Sequence, residues 1–75
     1  MKEVKITLSN IQDIREFVNQ VILVDYEVDL EQGRYVVDAK SILGIFSLDL
    51  SKPLMVEIHS DNCDELLAAL KAFEI

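Results

Sequence analysis

The rhythm of hydrophobic and polar positions changes repeatedly along this chain, and each change marks an element. Residues 2–8 alternate, with Val4, Ile6 and Leu8 on one face and Glu3, Lys5 and Thr7 on the other. Period two predicts a strand with one wet side. Over residues 10–22 the period lengthens: Ile11, Ile14, Phe17, Val18, Val21 and Ile22 recur at three and four, the stripe of an amphipathic helix. Ser9 and Asn10 are both cap-competent. With Ser9 as N-cap, Gln12 completes a capping box, and Asp13 and Glu16 add negative charge to the first turns. Alternation returns over residues 24–30, where Val24, Tyr26, Val28 and Leu30 oppose Asp25, Glu27 and Asp29.

Glu31-Gln32-Gly33-Arg34 then reads as a tight connection, Gly33 supplying the positive φ of a hairpin turn. Tyr35 to Ala39 is the second hairpin strand, residues 41–48 a short helix, and Leu50-Ser51-Lys52-Pro53 a loop that Pro53 keeps from helix. Leu54 to Ile58 alternates again. Ser60-Asp61-Asn62 offers a cap to a last helix carrying Cys63, Leu66, Leu67, Leu70 and Phe73. The order is strand, helix, strand, strand, short helix, strand, helix. Its simplest solution is an α+β fold: one four-stranded antiparallel sheet with three helices on one side, a single domain over residues 1–75.

Composition narrows the functional classes. The longest apolar run, Val21 to Val24, is far short of the ~20 residues a membrane span requires. A lone Cys63 forms no disulfide within the chain, and the N-terminus shows no apolar leader segment, so a cytoplasmic protein is expected. Seven Lys and Arg against fourteen Asp and Glu give a net charge of −7, which disfavours a nucleic-acid ligand.

Candidate chemistry is sparse. Asp25, Glu27 and Asp29 share a strand face but lie ~6–7 Å apart, so as a row they read as a solvated side and not a cation site. His59 reads as a surface histidine. The strand-to-helix turn between it and Cys63 spoils a metal pair. There is no Ser/His/Asp set and no Gly-rich phosphate loop. Neither an enzyme nor a bound cofactor or metal is expected.

The short helix is different, because it is apolar nearly all the way round. Ser41 fits its N-cap, with a hydroxyl able to accept from Leu43 or Gly44. Ile42, Ile45 and Leu48 stand three apart, and Leu43 and Phe46 form a second such pair. Two turns cannot bury both sets beneath two longer helices. Either one set meets solvent or a partner, or loop residues such as Leu50 cover both.

Lys40 to Leu48, "KSILGIFSL", closely resembles the serine motif of the histidine-containing phosphocarrier (HPr) family of the sugar phosphotransferase system. The inferred element order is similar to that family's open-faced β-sandwich. The resemblance implies a regulatory phosphorylation site at Ser41, and Ile42, Leu43 and Phe46 as partner-facing residues with Ile45 and Leu48 inward. Periodicity alone groups Ile42 with the inward pair. The family's phosphoryl-accepting histidine has no counterpart. Counting back from Ser41 without gaps puts Asn10 in its position, Gln12 in that of the family's arginine and Asp13 in that of its proline. An amide nitrogen is not nucleophilic, and Asp13 repels an incoming phosphate. The resemblance therefore implies a protein without phosphocarrier activity. It would act as a regulatory or protein-binding module through the Ser41 helix, with a regulatory kinase or a transcriptional regulator as partner. The alternative is a divergent domain in which Ser41 only caps a helix.

Overall fold

The computed structural model describes residues 1–75. The elements are β1 (Lys2–Ile6), α1 (Ile11–Val21), β2 (Val28–Gln32), β3 (Tyr35–Asp38), α2 (Ile42–Phe46), β4 (Leu54–Ile58), α3 (Asp64–Leu70) and a final 3₁₀ turn (Lys71–Phe73). The strands form one sheet in the order β1-β4-β2-β3, antiparallel throughout. This is the α+β architecture that the alternating periods predict.

Alternation fixes the two faces. Val28, Leu30, Leu54, Val56 and Ile58 are buried beneath the helices, with Ile6 from β1. Against them pack Ile14, Phe17 and Val21 of α1, Ile45 of α2, and Leu66 and Leu70 of α3. All 17 buried residues are apolar, the Cys63 thiol counted among them, and none carries a charge. The outer face is acidic. Glu3, Glu57, Asp29 and Asp38 fall in register across all four strands.

Several boundaries differ from the sequence reading. β2 begins at Val28, not at residue 24, because the chain is still turning off α1 there: Val24 N–H donates to the Val21 carbonyl at 3.4 Å. The hairpin is tighter than four residues. Gln32 pairs with Tyr35, leaving Gly33 and Arg34 as the loop. Gly33 has φ +60° and Arg34 does not have a positive φ, the combination of a type II′ turn. Ile11 and Ile22, counted in the α1 stripe, are exposed, since they sit at the helix ends beyond the sheet's cover.

Two caps also differ. Asn10, not Ser9, caps α1. Its Oδ1 accepts from Asp13 N–H at 2.8 Å, while Asp13 Oδ2 accepts from Ser9 N–H at 3.2 Å and from Ser9 Oγ at 2.8 Å. Asp13 thus joins both residues, its N–H capped by Asn10 and its carboxylate accepting from Ser9. Residues 60–62 do not cap α3. Cys63 holds that position without a side-chain bond, and Asp64 and Glu65 supply the favourable charge at the first turn.

The chain's last residues cover the end of the β1 edge, from Lys5 to Thr7. Thr7 N–H donates to the Phe73 carbonyl at 3.0 Å, Ile75 N–H to the Lys5 carbonyl at 3.3 Å, and Ile6 bridges Glu74.

Candidate functional site

The candidate site is α2 and the turn that delivers it. Ser41 N–H donates to the Asp38 carbonyl at 3.0 Å, and Lys40 N–H to Asp38 Oδ1 at 2.9 Å, which folds the chain sharply off β3. Lys40 Nζ donates to the Val24 carbonyl at 2.9 Å and ties this turn to the α1–β2 connection. Ser41 has extended backbone, φ −101° and ψ 105°, as an N-cap requires. Its Oγ accepts from Gly44 N–H at 3.2 Å, and its carbonyl takes the first helical bond, from Ile45 at 3.1 Å. At the other end Ser47 Oγ donates to the Gly44 carbonyl.

α2 packs on α1 and β3 through one side only. Ile45 is fully buried and Leu48 nearly so. Leu43 is 80% exposed, Phe46 46% and Ile42 36%. Ile42 therefore sides with Leu43 and Phe46, contrary to simple three-spacing. A helix of five residues is too short for three-spacing to define a buried stripe. Leu50 is half-buried against the core and does not cover Leu43. The structure thus leaves three large apolar side chains on the outer side of one short helix, beside a serine hydroxyl at its start.

Asn10 and Gln12 lie at the opening of α1. Asn10 is engaged as the cap, and Gln12 Nε2 donates to Glu16 Oε1 at 3.3 Å. Neither bonds to Ser41, and neither faces a cation in an ion pair. Of the orphan N–H groups of the first turn, that of Asp13 meets the Asn10 amide, and the Asp13 carboxylate stands beside it. That corner carries the negative charge of Asp13 and the amides of Asn10 and Gln12.

The other candidates stay apart from α2. His59 Nε2 lies 2.9 Å from Asp29 Oδ2 on the outer face, and His59 N–H donates to the Glu27 carbonyl at 3.0 Å. Cys63 is buried at the start of α3. Partial burial, then the neighbouring Cys63, Asp25 and Glu65, push the Tyr26 phenol above its ordinary value. No three His, Cys, Asp or Glu side chains are grouped to hold a metal ion. No helix is long and apolar enough to cross a membrane.

Two features of the site carry no sequence signal. One is the Lys40 tether. The other is Gln32, whose Nε2 donates to the Asp49 carbonyl at 2.7 Å while its Oε1 accepts from Asp49 N–H at 2.8 Å. This clamp fixes the loop after α2 to the hairpin. Both join polar groups distant in sequence, which no local pattern announces.

Comparison with known proteins agrees with this geometry. The model of the PTS HPr component phosphorylation site matches residues 3–74. Among solved structures, HPr-C-His from Thermoanaerobacter tengcongensis superposes with a TM-score of 0.78 at 30% identity, over 93% of this chain and 86% of that one. A phosphocarrier protein HPr from Bacillus anthracis str. Ames superposes with a TM-score of 0.72 at 26% identity, over 99% and 94% of the two chains. No curated protein sequence matches the chain.

Proposed function

The chain belongs to the PTS HPr family, and from that premise we propose that it is a cytoplasmic regulatory or protein-binding module without phosphocarrier activity, acting through the Ser41 helix. The observation that carries this reading is the split of α2: Ile45 fully buried, Leu43 and Phe46 exposed. An isolated exposed leucine needs no explanation, but adjoining large apolar groups on one short helix mark an interaction surface. Ile42, Leu43 and Phe46 form the contact, and a partner protein is the ligand, a regulatory kinase or a transcriptional regulator. Phosphate on Ser41 adds about −1.5 to −2 charge beside this apolar patch and so changes the surface offered to that partner.

Loss of phosphoryl transfer rests on residue chemistry. His59 is the chain's sole histidine, and it stands on the outer sheet face against Asp29, away from any helix N-terminus that precedes it. Asn10 takes the family histidine's position and Gln12 the arginine's. The first lacks a nucleophilic nitrogen and the second lacks the charge to hold a phosphate dianion.

A second reading is favoured by one bond. Ser41 Oγ is already engaged with Gly44 N–H, which is all that a helix cap requires. Intact mass after incubation with ATP and the family's serine kinase separates the two. One added phosphate, lost in Ser41→Ala, supports the switch. No mass change, with an ordinary family member phosphorylated alongside, reduces Ser41 to a cap. A phosphohistidine formed with the upstream transfer enzyme would overturn the loss of carrier activity.

A further inference from the structure

The two edges of the sheet are not treated alike. β1 is covered on its free side by residues 73–75 from Lys5 to Thr7, and its open end at Glu3 stands between Lys2 and Lys5. β3 is covered at its Asp38 end by the turn into α2 and has no such cover at Val36. The pairing of Gln32 with Tyr35 and Leu30 with Val37, and the bond from Ala39 N–H to the Val28 carbonyl at 2.9 Å, show which residues of β3 turn their backbone toward β2. They are the odd-numbered ones, so Val36 and Asp38 turn theirs outward. The Asp38 carbonyl is taken by Ser41. Val36 has neither its N–H nor its carbonyl paired, and its side chain is 58% exposed beside a Tyr35 that is 66% exposed. The strand contains no Lys or Pro, and its protection is limited to its four-residue length and the charge of Asp38.

The sequence of this edge, Arg34-Tyr35-Val36-Val37-Asp38, is complementary to itself when reversed. Neither Arg34 nor Asp38 has an ionic partner within the chain. We propose that β3 pairs antiparallel with β3 of a second copy of this chain about a two-fold axis at Val36, joining two sheets into one of eight strands.

In this register Val36 of each copy exchanges N–H and carbonyl bonds with Val36 of the other. Arg34 stands opposite Asp38 on the outer face, twice by symmetry. Tyr35 stands opposite Val37 on the face toward the helices. The charges select the register. A slip of one residue inverts every side chain. A slip of two in one direction sets Arg34 against Lys40, and in the other leaves Asp38 without a partner. The edge is short, so the buried surface falls below the ~1,200 Å² of a standard stable interface and the dimer is a transient one.

Sedimentation equilibrium of the intact chain, from micromolar to millimolar protein, tests the pairing. A monomer–dimer equilibrium is expected for the wild type. Arg34→Asp, which lies in the turn and leaves the hairpin bonds intact, places like charges opposite each other twice and weakens the dimer by about tenfold or more. The double variant Arg34→Asp/Asp38→Arg restores the pairs in exchanged order and recovers dimerisation. As a second readout, exchange of the Val36 amide hydrogen slows as concentration rises. A wild type that stays monomeric into the millimolar range, a dimer indifferent to Arg34→Asp, or a folded double variant that stays monomeric would each overturn the proposal.

Discussion

A Cβ built on Gly44 would lie 3.3 Å from Val37 Cβ and 3.4 Å from Ser41 Oγ, so α2 rests against β3 at a distance only glycine allows without adjustment. Glycine costs a helix about 1 kcal/mol relative to alanine, which the close approach offsets. Neither neighbour yields easily, because Ser41 Oγ is held by the Gly44 N–H and Val37 is fixed in the hairpin ladder. Gly44→Ala is therefore expected to destabilise the protein by about 1 kcal/mol net, despite its better helix propensity. Urea unfolding of the two proteins measures it. A stabilised variant would show that α2 can lift from β3 freely.

Ser41 has a structural role that must be separated from any signalling one. Ser41→Ala loses the cap and is expected to cost about 1 kcal/mol. In a domain of this size that lowers the melting temperature by roughly 4–8 °C. Ser41→Asp keeps an acceptor of equal quality, so it melts within a degree or two of wild type, as expected from the ~0 difference between these caps. Thermal melts of both variants decide this, and Ser41→Asp then serves as a folded, charged surrogate for partner-binding assays.

The two sides of α2 are expected to separate stability from binding. Ile45→Ala removes a fully buried side chain and loses about 2–5 kcal/mol. Leu43→Lys alters a side chain that is mostly in water, and changes stability by no more than about 0.5 kcal/mol. It places a charge in the apolar patch and is expected to abolish capture of the partner. Binding undiminished in a folded Leu43→Lys protein would move the interface elsewhere.

The acidic outer face gives a pH dependence. Glu57 is held above its ordinary carboxyl value, first by sharing its proton with Glu31, then by loss of solvent and the charges of Glu31 and Glu3, with His59 acting the opposite way. Its cross-strand neighbour on β2 is Asp29. A raised folded-state value means that the folded protein binds this proton more tightly than the unfolded chain. The stabilisation is complete below the ordinary value of 4.5 and is lost as pH rises through the folded value. Asp49 has the reverse sign, because the Ser51 hydroxyl and N–H hold its carboxyl low. Its contribution is present above its ordinary value and is lost on acidification. Glu57→Gln is thus expected to melt above wild type at neutral pH, with the two converging in mild acid. Melting temperature against pH for both proteins tests the sign.

The elements were legible because each strand has one wet face and each long helix one dry stripe. Val56 and Ile58 against Glu57, or Phe17 and Val21 against Glu16 and Gln20, declare their orientation locally. What was not legible depends on residues meeting across the fold. Phe17 meets Phe73 edge to face, ring centroids 6.1 Å apart, yet nothing in either helix announces the other. The same is true of the Gln32 clamp on Asp49. The outward turn of Ile42 was suggested by family resemblance and not by periodicity, because five helical residues are too few to define a stripe. Alternation of side chains does not mark the start of β2, because it continues through the turning segment before Val28, which has no ladder partner.

The place of β4 has a consequence for how the fold is reached. It lies between β1 and β2, so Lys2 finds its partner only at Ile58, while the β2–β3 hairpin closes across two residues. Closing a long loop costs entropy before its contacts repay it, and non-local pairing of this kind slows folding. The hairpin is expected to form early and β1 to dock late. Weakening the Gly33 turn should slow the approach to the native state, whereas weakening β1 should chiefly hasten its loss. The first strand of the chain is in this sense its last to commit.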